Sequence, residues 1–149
     1  MIEIRGAEQL ARLSKALKAA GDRELQRELS RGISQAMKPV MADVRQSAQR
    51  TLPSRGGLAQ KVARTPMRIT RRAGSQIAYV RLQAKSPYHL GQLNRGILHH
   101  PVFGNRSVWV TQRVESGWWT RPTEAAAVQV RRELLTAMNR VAAKINRAV

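Results

Sequence analysis

The spacing of apolar residues changes along this chain, and that change constrains the fold more than any other feature. Apolar residues recur every three or four positions over 7–20 and again over 22–51, as in amphipathic helices. From Pro66 to Leu82, and over 107–114, apolar and polar residues alternate, which is the period of a strand. A final helical stripe runs from about residue 120 to the C-terminus. The sequence therefore predicts an α+β fold.

In this fold a long, bent N-terminal helix and a C-terminal helix pack on a small antiparallel sheet of three to four strands. Gly21 is expected to end a first short helix, and Asp22 offers an N-cap for the long one, which runs to about Thr51. Pro39 interrupts this helix, but the apolar stripe keeps its phase across it. We therefore predict one helix bent near Pro39, with two abutting helices as the alternative. The stripe comprises Leu25, Leu29, Ile33, Met37, Val40, Val44 and Ala48.

Turn-forming residues separate the predicted strands. Ala73-Gly74-Ser75 suits a hairpin connection between the first two strands, and Ser107–Val114 is predicted as a third strand. The stretch 85–106 contains five helix and strand breakers, which predicts a long loop that is functional or is ordered only by a partner. A length of 149 residues predicts a single domain over 1–149, with this central loop at about 85–106.

The distribution of charge is one-sided. The chain has 27 basic and 9 acidic residues, a formal charge of +18, and 21 of the basic residues are Arg. Between Asp43 and Glu115 there is no acidic residue, while 13 Lys and Arg fall in the same span. Such a surface attracts polyanions and repels copies of itself. The sequence therefore predicts an anionic partner, either nucleic acid or an acidic protein surface.

Composition also disfavours several classes of protein. Cys is absent, which excludes disulfides and thiolate chemistry. No apolar run approaches the ~20 residues of a membrane helix, and the N-terminus lacks the pattern of a secretory signal. We therefore expect a protein that is made and used without export, with no membrane partner.

Candidate catalytic residues are few. His99 and His100 are adjacent, so on an extended chain they point to opposite sides and cannot easily bind one metal, and no Asp or Glu lies near them or near His89. No Gly-rich phosphate-binding motif is present, and a nuclease would need clustered carboxylates to hold divalent metal. The sequence predicts no enzyme activity, no metal site and no cofactor.

A basic cluster is the first candidate binding feature. Its arginines surround the predicted hairpin and could bind phosphate or an acidic partner, or they could form a solvated strand face that discourages aggregation. Aromatic residues are only 4% of the chain, too few for the stacking surfaces of single-strand binders, so any DNA contact is expected to be to phosphates. The candidate residues are Arg55, Arg64, Arg68, Arg71, Arg72 and Arg81.

The three tryptophans form the second candidate feature. Trp109, Trp118 and Trp119 all lie between the last predicted strand and the last helix. An exposed Trp beside Arg121 is characteristic of a binding hot spot. The alternative is structural, with one Trp packed under the sheet and the other at the start of the helix, and the scarcity of aromatic area favours it.

The order of motifs in the second half of the chain resembles a known family. Residues 52–59 (LPSRGGLA) precede the basic hairpin, residues 100–106 (HPVFGNR) precede the third strand, and residues 117–122 (GWWTRP) open an Ala-rich closing helix. This arrangement resembles the small tail-completion, or neck, proteins of long-tailed non-contractile bacteriophages, in the form found among phages of actinobacteria. The resemblance extends from about Leu10 to Ile145, and residues 100–106 with the following Gly-Trp-Trp are its most specific part.

The resemblance implies a structural virion protein at the joint between the DNA-filled head and the tail tube, made in the host cytoplasm. Such proteins are expected to form homo-oligomeric rings, with six copies expected here, that contact neighbouring neck and tail-tube proteins and enclose packaged double-stranded DNA. The resemblance brings no enzyme activity or cofactor. A non-specific cytoplasmic DNA-binding protein is the alternative. The candidate interface residues are Tyr88, His99, His100, Phe103, Arg106, Trp118, Trp119 and Arg121.

Overall fold

The computed structural model describes residues 7–20, 23–73 and 78–148, and it has the predicted α+β fold. The helices are α1 (Ala7–Ala20), α2 (Arg23–Thr51), α3 (Leu58–Ala63), α4 (Leu90–Asn94) and α5 (Thr120–Ala148). The strands are β1 (Met67–Ala73), β2 (Ala78–Ala84), β3 (Ile97–Val102) and β4 (Asn105–Arg113). The long N-terminal helix and the C-terminal helix are confirmed.

The strands form two separate sheets rather than one. β1 pairs with β2 and β3 pairs with β4, each as an antiparallel two-stranded sheet. The prediction of a single sheet of three to four strands was therefore wrong in its connectivity, although four strands are present. The predicted connection through Gly74 and Ser75, and the Asp22 N-cap, lie outside the described residues.

The chain divides into two compact units. Unit 1 comprises the described residues within Met1–Met41, Met67–Gln83 and Ala125–Val149, and unit 2 comprises Ala42–Pro66 and Ala84–Glu124. The helices α2 and α5 each contribute residues to both units.

Unit 1 is built around the two predicted apolar stripes. Ile33, Met37 and Val40 of α2 are almost fully buried, as are Val130 and Val141 of α5. Burial of side chains at this helical spacing is the main stabilising contribution of an amphipathic helix. The further buried apolar residues of unit 1 include Leu13, Leu29, Ala36, Val80, Leu82, Leu134 and Met138.

Helix α2 is continuous through Pro39, which confirms the single-helix prediction. Proline has no N–H group, so the carbonyl of Gln35, four residues earlier, loses its usual helical partner. Both Pro39 and Gln35 are exposed, so water can bind that carbonyl. The proline is tolerated because it falls on the solvent side of the stripe.

Gly32 explains how closely α2 and α5 approach in unit 1. A Cβ built on Gly32 would lie 2.7 Å from the Cβ of Ala137 in α5. That distance is shorter than two carbon atoms can approach without displacement. The glycine is therefore required by packing, although glycine inside a helix costs about 0.5–1 kcal/mol relative to Ala.

Unit 2 holds most of the stretch that was predicted to be a long loop. That prediction was wrong, because residues 85–106 contain the short helix α4 and all of β3. Of the five breakers, Gly91 lies within α4 and Pro101 within β3, which are both short, and the other three lie between elements. Gly96, at φ 83°, follows α4, and its position leaves no room for a Cβ, which would lie 2.7 Å from the carbonyl oxygen of Val114. The third predicted strand is confirmed as β4, with a start two residues earlier than expected.

Hydrogen bonds to Asn94, the last residue of α4, connect this helix to the start of α5. The side-chain Oδ1 of Asn94 accepts hydrogen bonds from the backbone N–H groups of Trp119 (3.0 Å) and Thr120 (3.2 Å). The backbone carbonyl of Asn94 accepts another from the N–H of Gly117, at 2.8 Å. The first N–H groups of a helix have no partner within the helix, so Asn94 satisfies two of them from a distant segment. One residue thus joins α4 to Gly117 and to the start of α5.

Candidate interaction surface

The β3–β4 hairpin is paired regularly near its base and irregularly near its tip. Ile97 lies opposite Arg113, and the register continues to Pro101 opposite Trp109. Val102 then pairs with Asn105, so that residues 106–108 form an irregular segment in β4. Pro101 is compatible with a strand that has only one paired neighbour, since proline cannot donate to a second. Such irregularities recur at edges and binding sites, where they redirect side chains.

Phe103 and Gly104 form the two-residue turn of this hairpin. Both have positive φ angles, 46° for Phe103 and 78° for Gly104, which is the pattern of a type I′ turn. Asn-Gly is the sequence usually found there, because the left-handed conformation is unfavourable for a bulky side chain. Phe103 is nevertheless fully exposed, with a relative accessibility of 104%. A strained backbone and a solvated aromatic ring occur at the same residue.

Strand β4 is exposed along all nine residues. Val108 and Val110 on one face are 49% and 38% exposed, and Trp109 on the other face is 59% exposed. In the described part of the chain β4 pairs only with β3, so its other edge has unpaired backbone groups. An exposed strand with apolar residues on both faces and an open edge is a template for contact with another chain.

Trp109 is held in place although it is exposed. Its indole Nε1 donates a hydrogen bond of 2.8 Å to the carbonyl oxygen of Arg106. Across the strands, Thr111 Oγ1 lies 2.8 Å from His99 Nδ1. These bonds satisfy polar atoms within the hairpin and leave the faces of the Trp109 ring available for contact.

A cleft of about 980 Å³ lies within unit 2, beside the hairpin. We call it the unit 2 cleft. Its walls come from α3, from the segment that leads into α4, and from β3 with part of β4. The lining is largely apolar and includes Leu58, Leu93, Leu98 and Trp109. The predicted interface residues Tyr88, His99 and His100 also line it.

The other predicted interface residues have different environments. Phe103 and Arg106 are exposed in the tip region of the hairpin, and Arg121 is exposed in α5, where it forms an ion pair with Glu115. Trp119 is half-buried. Trp118 is fully buried and lies edge-on to Trp119, with ring centroids 5.6 Å apart, so the structure places Trp118 in the core of unit 2 rather than on a contact surface.

The indole N–H groups of Trp118 and Trp119 are both buried without a hydrogen-bond partner among the described residues. A buried donor without a partner costs about 1–3 kcal/mol. The apolar area that the two rings bury therefore has to outweigh this cost.

The predicted basic residues are divided between the two units. Arg55 and Arg64 are exposed in unit 2, and Arg68 and Arg71 are exposed on β1 in unit 1. Arg68 and Arg71 are three residues apart on a strand, so they lie on opposite faces and do not form one patch. Arg81 on β2 is half-buried, and the side chain of Arg72 lies outside the described residues.

Arg121 forms an ion pair with Glu115, and Lys144 forms one with Glu28. Neither includes a cation from the acid-free segment between Asp43 and Glu115. Exposed pairs of this kind contribute little stability, with a median of about 0–1 kcal/mol.

His99 and His100 are consecutive residues of β3 rather than loop residues, and His100 Nδ1 lies 3.2 Å from the carbonyl oxygen of Pro101. Within the described ranges no group of three or more His, Cys, Asp or Glu is placed to hold a metal ion. None of the helices described here is long and apolar enough to cross a membrane.

Sequence reasoning missed several residues of this surface. Val108, Trp109 and Val110 were predicted as strand residues but not as contact residues, and Leu58 and Leu98 were not singled out. The available signal was the run from Val108 to Val110, which gives β4 an apolar residue on each face. Comparison with known proteins found no matching family model, no matching curated protein and no matching solved structure.

Proposed function

We propose that this chain is a structural protein of a phage neck, joining the DNA-filled head to the tail tube through ring-to-ring contacts. The observation that carries the proposal is the β3–β4 hairpin, whose tip exposes Phe103 in a left-handed backbone conformation. Strained residues persist where the surrounding structure holds them, and they cluster at functional sites. A solvated aromatic ring at a strained position is explained if another protein covers it in the assembled particle.

Charge supports the same proposal. A formal charge of +18 disfavours close contact between copies of the chain unless an anionic partner or packaged DNA neutralises it. A neck component meets both kinds of partner. The order of motifs described above, from residues 52–59 to residues 117–122, points to this class of virion protein.

Phe103→Asn is expected to stabilise the isolated protein while it abolishes assembly. Asn tolerates the left-handed conformation better than Phe, so we expect the free energy of unfolding to rise by about 0.5–1 kcal/mol. Loss of the exposed ring removes the proposed contact with the partner. Urea denaturation measures the first effect, and size-exclusion chromatography with light scattering measures the second. The partners for the mixing experiment are the products of the genes that flank the coding sequence.

Val128→Asn is the matched control, because Val128 is also a large exposed apolar residue, 71% accessible, but lies on α5. The unmodified protein and the Val128→Asn variant are expected to form large complexes only when the neighbouring proteins are added. A stable monomer that binds none of them would contradict the proposal, as would full assembly of the Phe103→Asn variant.

Non-specific binding of DNA is the second candidate function. It is favoured by the exposed arginines Arg55, Arg64, Arg68 and Arg71, none of which has a described carboxylate within ion-pair distance. Each phosphate that is neutralised contributes a slope of about −0.9 to the dependence of log affinity on log salt. We therefore expect filter binding to weaken steeply across a salt series. Absence of binding at low salt would remove this candidate, whereas salt-sensitive binding is compatible with a neck protein around packaged DNA.

A further inference from the structure

We propose that the unit 2 cleft is a docking site for an acidic segment of a partner protein that also carries apolar side chains. This inference rests on the proposed function, which supplies the class of partner, a neighbouring virion protein. It adds the chemistry of the segment that docks. It stands on the cleft's size, its apolar lining and the sign of its charge.

The size and polarity of the cleft favour a peptide over a small molecule. A volume of about 980 Å³ is at the upper end of small-ligand pockets, which span roughly 300–1,000 Å³. Small-molecule sites also contain a few convergent polar groups that fix the ligand. In this cleft the polar lining residues Lys61, His89 and His99 are exposed to solvent rather than buried around an enclosed ligand. Leu58 and Leu98, both half-buried, instead provide apolar surface for the side chains of a peptide.

The charge of the cleft favours carboxylates on that peptide. Every lining residue falls between Asp43 and Glu115, so the cleft has no carboxylate of its own. Lys61 and three histidines are its basic groups. Arg55 and Arg64, both exposed, flank the lining segment around α3 in sequence. An acidic peptide is complementary to this surface, and electrostatic complementarity directs both encounter and specificity.

Other occupants fit less well. A nucleic acid needs a series of cations along its backbone, whereas the lining contains one lysine and no arginine. A second copy of this chain carries the same formal charge of +18, so it is less complementary to a cleft without carboxylates than an acidic segment is. Trp109 is already fixed by its hydrogen bond to Arg106, which lowers the entropy cost of packing a peptide against its ring.

The test is fluorescence anisotropy with a short labelled peptide in which Leu and Phe alternate with Asp and Glu. We expect the unmodified protein to bind it, and to bind a matched peptide with Asn and Gln in place of Asp and Glu more weakly. Lys61→Glu should weaken binding of the acidic peptide by about tenfold, because attraction is replaced by repulsion. Lys85→Glu is the matched control, since Lys85 is exposed in unit 2, undergoes the same charge change and does not line the cleft. It should weaken binding much less.

Trp109→Ala provides a second test. Its control is Val108→Ala, because Val108 is an exposed neighbour that does not line the cleft. Trp109→Ala should weaken binding of the acidic peptide, and circular dichroism checks that the variant remains folded. Equal losses for Lys61→Glu and Lys85→Glu would overturn the proposal, as would equal affinity for the neutral peptide. Displacement of the peptide by an oligo-dT strand would assign the cleft to nucleic acid instead. Self-association that depends on Lys61 and Trp109, without peptide binding, would assign it to a second copy.

The two proposals fail in distinguishable ways. Failure of the peptide to bind, with the neck complexes of the mixing experiment intact, removes only the cleft proposal. Specific peptide binding without any complex formation removes the neck function but leaves a docking site for acidic segments.

Discussion

Trp118→Ala is expected to lower the free energy of unfolding by about 3–5 kcal/mol, the usual cost of truncating a buried large aromatic residue. Trp118 is fully buried, and its ring packs edge-on against Trp119. The substitution removes both the buried apolar area and an aromatic pair worth about 0.5–1.5 kcal/mol. It also removes an indole N–H that has no described partner, which offsets a small part of the loss.

The matched control is Trp109→Ala, the same substitution at a residue that is 59% exposed. We expect that variant to lose less than about 1 kcal/mol, since surface substitutions have small effects. Urea denaturation followed by far-ultraviolet circular dichroism measures both variants without depending on tryptophan fluorescence. Equal losses at the two positions would show that Trp118 does not form part of the core.

Gly32→Ala has the second largest expected effect on the free energy of unfolding. The sign of that effect shows whether helix propensity or packing dominates. Helix propensity alone predicts stabilisation by about 0.5–1 kcal/mol. The new Cβ, however, would lie 2.7 Å from the Cβ of Ala137. Overpacking of this kind costs about 1–3 kcal/mol, so we expect a net loss of stability. Gly91→Ala is the control, because a Cβ there meets nothing within 4 Å, and it should be neutral or slightly stabilising.

A double-mutant cycle tests the contact directly. Ala137→Gly in the Gly32→Ala background removes the clashing methyl group and should restore part of the stability. We expect an interaction energy of about 1 kcal/mol or more between the two positions, which is typical of residues in contact. Strictly additive effects would contradict the close approach of α2 and α5.

The helices and the first hairpin were predictable because their signals are periodic. The stripe from Leu29 to Ala48 is buried as the spacing predicts, and the alternation around Ile69 and Val80 corresponds to β1 and β2. Tertiary contacts reinforced these local preferences rather than overriding them. Pro39 did not break α2, since it lies on the exposed side.

The second sheet was not predictable in the same way. Its turn contains Phe103 where a type I′ turn usually has Asn, so the strongest local hairpin signal was absent. Helix α4 has only five residues and includes Gly91, too short a segment for a helical period to be seen. The bonds that fix this region, from Asn94 to the start of α5, join residues about 25 positions apart.

The candidate surface was predictable in part. The acid-free segment predicted a surface without carboxylates, and the cleft is lined only by residues of that segment. Tyr88 and His99, which line the cleft, were among the predicted interface residues. The cleft itself was not predictable, because it is formed by three segments that come together only in the folded unit. Trp118 is buried and Trp109 is exposed, and this difference is likewise a property of the fold and not of the local sequence.

The proposed neck function is best tested by electron cryomicroscopy of particles assembled from this chain and the products of the genes that flank its coding sequence. We expect density for the chain at the joint between head and tail, with the ring of Phe103 and strand β4 packed against a neighbouring protein. Particles that lack the chain, or a joint in which the β3–β4 hairpin remains in solvent, would contradict it.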